Sequence, residues 1–92
     1  MEFGIRAELR AAERAVKTRQ SEMEVAKEEL RLAREAHDLA RTAYKAGAAT
    51  NLEFIQAQQA LRGAEVTYIL SRAQLQLARI ELRLASGLPP RG

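Results

Sequence analysis

A single stretch of punctuation, Tyr44-Lys45-Ala46-Gly47-Ala48-Ala49-Thr50-Asn51-Leu52-Glu53, separates two long runs of helix-forming residues. Glycine takes the left-handed backbone that ends a helix without a Cβ penalty, so Gly47 is a natural stop. Thr50 is a good N-cap, and Glu53 three residues on is placed to reach back to the cap's own N–H and complete a capping box. The spacing predicts a helix over 5–46, a turn over 47–50 and a second helix over 51–86. So short a connection forces neighbouring helices antiparallel. The chain therefore reads as all-α, a long antiparallel two-helix coiled-coil hairpin with a slim, alanine-lined tip.

The first run carries apolar residues on a four–three heptad: Ile5, Leu9, Ala12, Val16, then Met23, Ala26, Leu30, Ala33, Ala40 and Tyr44. Arg19 and His37 fall in the same register and interrupt it. At 1.5 Å per residue this helix is roughly 60 Å long. A second register, shifted by two residues, carries Val25, Leu32, Ala36, Leu39, Ala43 and Ala46. Two registers widen the apolar face to about half the circumference, more than a two-stranded seam requires.

The second run repeats the arrangement. One seam reads Phe54, Ala57, Leu61, Ala64, Tyr68, Ser71, Leu75, Ala78, Leu82, Ala85, and another reads Val66, Leu70, Ala73, Leu77, Ile80, Leu84. Large side chains alternate with small ones, so the knobs of one strand fit alanine holes in the other and the backbones approach closely. Ser86-Gly87-Leu88-Pro89-Pro90 ends the helix, because glycine caps it and proline cannot continue it. The domain organisation expected is a hairpin over 5–88, a disordered or cloning-derived start over 1–4, and a tail over 89–92. Broad stripes on both helices call for neighbours beyond the hairpin, and any helical bundle would satisfy that need.

Several function classes find no support in the residues. There is no cysteine, so disulfides and thiolate metal sites are excluded. His37 is the lone histidine, with Glu35 and Asp38 near it but no second soft ligand at metal spacing, so no metal and no cofactor is expected. A partly buried histidine bonded to a neighbouring carboxylate is the expected state of His37. No nucleophile has a base beside it and no glycine-rich phosphate loop occurs, so the chain is not expected to be an enzyme. The net charge is +3, but acids and bases alternate through the first helix. No basic face forms, which argues against nucleic acid. No segment resembles a signal peptide or has the length of a membrane span.

The residues Leu39, Ala40, Tyr44, Gly47, Leu52, Ala57, Gln58 and Leu61 fit a pattern close to L-A-x-x-x-Y-x-x-G-x-x-x-x-L-x-x-x-x-A-Q-x-x-L. With Ala64-Glu65, Ala78 and the closing Leu84-Ala85-Ser86-Gly87-Leu88-Pro89, the chain resembles the outer-membrane efflux protein (TolC-like) family from about Arg6 to Pro89. The resemblance implies one periplasmic hairpin repeat of a trimeric efflux or type I secretion channel. In such channels the hairpins form an α-helical barrel in which each helix touches a neighbour on either side. It further implies localisation at the outer membrane on the periplasmic side, with the membrane reached only through a β-barrel absent from this sequence. The implied partners are other copies of the chain, a periplasmic adaptor (membrane fusion) protein and an inner-membrane pump.

Carried over residue by residue, Ala46, Gly47 and Ala48 match the small segment that meets the adaptor. Glu53 and Gln56 match positions where some members place acidic residues around the entrance. Only Glu53 keeps the charge. Plainer roles compete at each position: any tight helix–helix turn prefers glycine and alanine, and Glu53 has its capping box. Arg19 and Arg62 read as side chains snorkelling at a seam edge. Gln56, Gln58 and Gln59 suit either a polar lumen or a wet helix face. Two other readings of the whole chain stand beside the channel, a freestanding self-associating coiled coil and the α-hairpin of a periplasmic adaptor. The adaptor reading lacks the Arg-Leu-Ser tip that many adaptors carry.

Overall fold

The computed structural model describes residues 2–87, with side chains from Arg6 onward. The expected tail over 89–92, Leu88 and the Ile5 side chain lie outside the described residues. Helix α1 runs Glu2–Lys45 and helix α2 runs Asn51–Ala85, and the two form a helical hairpin without a strand among the described residues. α1 therefore starts at Glu2, ahead of Ile5.

The turn is built from backbone chemistry alone. Gly47 adopts φ +77, the left-handed conformation that stops α1. Its N–H donates to the Tyr44 carbonyl at 3.1 Å, and the Ala48 N–H donates to the Ala43 carbonyl at 2.8 Å. That pair satisfies two carbonyls that a bare helix end leaves orphaned. The Ala49 N–H joins the Ala43 carbonyl at 3.2 Å. No atom lies within 4 Å of where a Cβ on Gly47 would stand, so backbone conformation alone selects glycine there. Gly87 repeats the device at the end of α2 with φ +81 and an N–H bond to the Leu84 carbonyl at 3.1 Å.

α2 starts with half of the expected capping box. The Glu53 N–H donates to Thr50 Oγ1 at 3.1 Å, and the Phe54 N–H donates to the Thr50 carbonyl at 3.2 Å. Among the described residues the Glu53 carboxylate makes no return bond to Thr50, so its contribution is negative charge in the first turn of α2.

Two compact units make up the chain, one from Met1–Glu24 with Leu70–Gly92 and one from Val25–Ile69. In the unit over Val25–Ile69, the covered seam positions of α1 are Ala26, Leu30, Ala33, His37 and Ala40, while Tyr44 of the same seam is 41% exposed. Those of α2 are Phe54, Ala57, Leu61, Ala64 and Tyr68. In the other unit they are Leu9, Ala12, Val16, Arg19 and Met23 on α1, and Ser71, Leu75, Ala78, Leu82 and Ala85 on α2. Ala15 in this unit and Gln58 in the first are half-covered beside the seam. Each set is the four–three seam read from the sequence. The most deeply buried apolar residues are Ala26 and Leu30 in one unit, and Leu75 and Ala78 in the other. Each leucine contributes about 1.5–3 kcal/mol on full burial. Ser71 is buried as well, and no buried side-chain polar atom among the described residues lacks a hydrogen bond.

The second registers face outward. Val25, Leu32 and Leu39 on α1 are 50–72% exposed, and Val66, Leu70, Leu77, Ile80 and Leu84 on α2 are 49–59% exposed. Leu52, Ile55 and Ile69 add to the α2 set. Ala43 is the exception in its register and is half-covered. Arg19 is half-covered at its seam position and turns its guanidinium to Glu22, with Nη1 to Oε1 at 3.3 Å. Arg62 is exposed, away from the seam.

Candidate functional site

The tip end of the hairpin, within the unit over Val25–Ile69, gathers the residues that the sequence singled out. Ala46, Gly47 and Ala48 are all exposed, as are Glu53 and Gln56 on the first two turns of α2. The three small residues present backbone and methyl groups with no long side chain among them, a low surface that another protein can approach closely. Glu53 and Gln56 lie three apart on one helix and therefore near each other. Gln59 is exposed too, whereas Gln58 is half-covered.

Next to this surface sits an aromatic stack that periodicity did not reveal, with His37 and Phe54 half-covered and Tyr44 exposed. The Phe54 ring lies against the Tyr44 ring with centroids 5.1 Å apart and planes 14° apart. It also lies against the His37 imidazole at 5.7 Å and 28°. Phe54 belongs to α2 and the other two rings to α1, so the stack ties the end of one helix to the start of the next. Offset aromatic pairs contribute about 0.5–1.5 kcal/mol each beyond the area they bury. All three are seam positions, which is the signal that was available. What the sequence leaves unstated is the level at which two seams meet across a turn.

His37 is partly buried as expected, but its main partner is the Phe54 ring. Its Nδ1 lies 3.7 Å from Asp38 Oδ1, longer than a hydrogen bond. Thr42 Oγ1 donates back to the Asp38 carbonyl at 3.0 Å, and Lys45 closes α1 with positive charge where the helix dipole is negative. Further along α1, Arg31 Nε donates to Glu28 Oε2 at 3.0 Å and Arg31 Nη1 to Glu35 Oε1 at 2.7 Å. The hydrogen bond from Arg31 holds the Glu28 carboxyl below its ordinary value. These groups are fully solvated, so the ladder orders side chains on a wet face and contributes little to stability. No group of three or more His, Asp or Glu among the described residues is placed to hold a metal ion. No helix among them is long and apolar enough to cross a membrane.

The model of outer membrane efflux proteins matches residues 3–88. The chain belongs to the outer membrane efflux protein family. No curated protein and no solved structure matches it. Membership makes the hairpin an efflux-protein-type helical segment, in a family of outer-membrane transport proteins and not of enzymes.

Proposed function

We propose that this hairpin is a periplasmic wall segment of a trimeric outer-membrane efflux or type I secretion channel, with its tip at the adaptor-facing entrance. The observation that carries the reading is the second apolar row, exposed on α1 at Val25, Leu32 and Leu39 and on α2 at Val66, Leu70, Leu77 and Ile80. A helix in a barrel wall needs one seam for its hairpin partner and another for the next hairpin, and these helices carry both. Contiguous apolar rows of this extent are rarely left bare on soluble monomers. In this reading Ala46, Gly47 and Ala48 meet the periplasmic adaptor protein, through which the channel joins an inner-membrane pump. No catalysis is involved; the hairpin encloses a conduit.

Cysteine-directed crosslinking in cells tests the tip. These 92 residues hold no cysteine, so in a channel cleared of any other cysteine Ala46→Cys and Ala48→Cys each introduce one reactive, exposed thiol. Both variants of the full-length channel are expected to crosslink to the adaptor, and Gln20→Cys, on α1 well before the turn, is not. An adaptor that is captured by none of the tip thiols, in cells that still export, removes the adaptor-facing role.

Glu53 and Gln56 supply the entrance in the same reading. Three copies of Glu53 around one axis would draw cations toward the pore. Glu53→Gln in the full channel is expected to lower cation selectivity in planar-bilayer conductance. Helix content should hardly change, because the Thr50 Oγ1 bond uses the Glu53 backbone N–H. Unaltered selectivity would leave Glu53 as a first-turn charge and nothing more.

A further inference from the structure

Acids and bases alternate along α1 in sequence, but in the unit of Met1–Glu24 with Leu70–Gly92 the helices sort them. A residue just after a seam position lies on one flank of its helix, and a residue just before lies on the other. Two antiparallel helices packed seam to seam place their matching flanks on the same side of the pair. The side that follows the seam carries Arg6, Arg10 and Lys17 on α1 and Arg72, Arg79 and Arg83 on α2, all exposed. Its acids are Glu13 and Glu24. The side that precedes the seam carries Glu8, Glu22 and Glu81 and no Lys or Arg. This unit therefore has a basic side, which alternation along the sequence conceals. Arg72 is engaged within the chain, whereas Arg6, Arg10, Lys17, Arg79 and Arg83 make no ion pair among the described residues. In the unit over Val25–Ile69, by contrast, Arg31 is held between Glu28 and Glu35.

We propose that this basic side binds a carboxylate-bearing polysaccharide laid along the two helices. The bases stand on separate turns, about 10 Å along the axis from Arg10 to Lys17 and about 6 Å from Arg79 to Arg83. No pocket gathers them around one small anion, and such a spaced row suits an anion that repeats. Arginine dominates the row, and its planar fork holds a carboxylate through two hydrogen bonds. On the same side stand Gln20, Gln76 and Ser86, donors and acceptors for sugar hydroxyls. A shallow depression lined by Lys17, Gln20, Ser21 and Glu24 opens on the α1 arm, where a sugar ring can rest beside a base, an amide and a hydroxyl.

The rest of this side selects the class of anion. Among the described residues of this unit it carries no large apolar side chain. Leu70, Leu77 and Leu84 precede seam positions, and Ile80 lies on the back of α2. A docked protein needs apolar or aromatic anchors at the centre of its contact, and a membrane surface needs side chains that insert. With no aromatic residue there, single-stranded nucleic acid has no platform on which to stack. Glu13 and Glu24 oppose a densely charged phosphate backbone more than a sugar chain whose carboxylates stand further apart. The contact leaves the apolar row free for the wall proposed above and does not depend on it.

Titration calorimetry of the 92-residue chain with a short oligogalacturonate, which carries one carboxylate on each sugar, tests the contact. Binding is expected, and it should weaken as salt is added. Arg10→Gln, Lys17→Gln, Arg79→Gln and Arg83→Gln together are expected to weaken it about tenfold or more. Circular dichroism should show the parent's helix in that variant, since glutamine is a good helix former. Glu8→Gln with Glu81→Gln makes the opposite side less acidic and is expected to change affinity by less than about twofold. Acylation of lysines, read by mass spectrometry, supplies the location: the oligosaccharide should protect Lys17 and leave Lys45, at the end of α1, as reactive as in the free chain. The proposal is overturned by a parent that does not bind, by a fourfold variant that binds as well as the parent, or by equal protection of Lys45. Tighter binding to duplex DNA or to phosphatidylglycerol vesicles than to the oligogalacturonate overturns it too. None of these results bears on the trimeric wall.

Discussion

Replacing Leu32 and Leu77 together by glutamate is expected to turn an associated chain into a monomer that is still helical. Both residues lie in the outward rows, 50% and 55% exposed, so neither substitution opens a cavity in the hairpin seam. The seam keeps Leu30, Leu61 and Leu75, and the two glycine-capped helix ends are untouched. In the associated chain each leucine, about half-covered already, gains about half of the 1.5–3 kcal/mol of full burial when its neighbour covers it. A carboxylate forced into the same apolar contact adds a further burial penalty. Together these exceed about 3 kcal/mol per interface, which raises the dissociation constant more than about a hundredfold. Sedimentation equilibrium at micromolar concentration reads the mass, and circular dichroism reads the helix. For the parent chain, melting is expected to rise with concentration, since association stabilises whatever it binds. A parent that sediments as a concentration-independent monomer would mean that the outward rows are not interfaces, and the barrel reading would lose its main physical support.

The hairpin was legible because its determinants are local or periodic. Gly47 and Gly87 announce helix ends through one property, tolerance of positive φ, and both adopt it. Thr50 announces a helix start through a hydroxyl that accepts the Glu53 N–H. The seam follows from a spacing of four and three. Even its polar members obey it, with Arg19 and His37 half-covered at the positions where the register places them.

What stayed hidden depends on how two seams meet. The stack of His37, Phe54 and Tyr44 needs the offset across the turn, which loop conformation sets and periodicity does not. The return bond of the capping box failed for a related reason. A Glu at the third position permits that bond, but a solvated carboxylate gains little from it.

Phe54→Ala is expected to loosen the tip end of the hairpin more than any other single change there. Phe54 is half-covered, and truncating a buried phenylalanine generally costs about 3–5 kcal/mol, so the lower part of that range applies. The loss includes both ring contacts, with Tyr44 at 5.1 Å and with His37 at 5.7 Å. Phe54→Leu separates the two contributions, since leucine keeps most of the apolar area and none of the stacking. It is expected to cost about 1–2 kcal/mol, and Tyr44→Leu, which breaks one stack, about half as much. Association would blur these numbers, so the measurements belong in the Leu32→Glu, Leu77→Glu background, by urea denaturation at fixed protein concentration. Amide exchange supplies the location: residues 40–58 should lose protection in Phe54→Ala before residues near Leu75 do, because local opening follows local contact loss. A Phe54→Leu variant as stable as its parent would show that the stack contributes shape and no energy. The level of α1 against α2 would then be held by the alanine seam and the Gly47 turn alone.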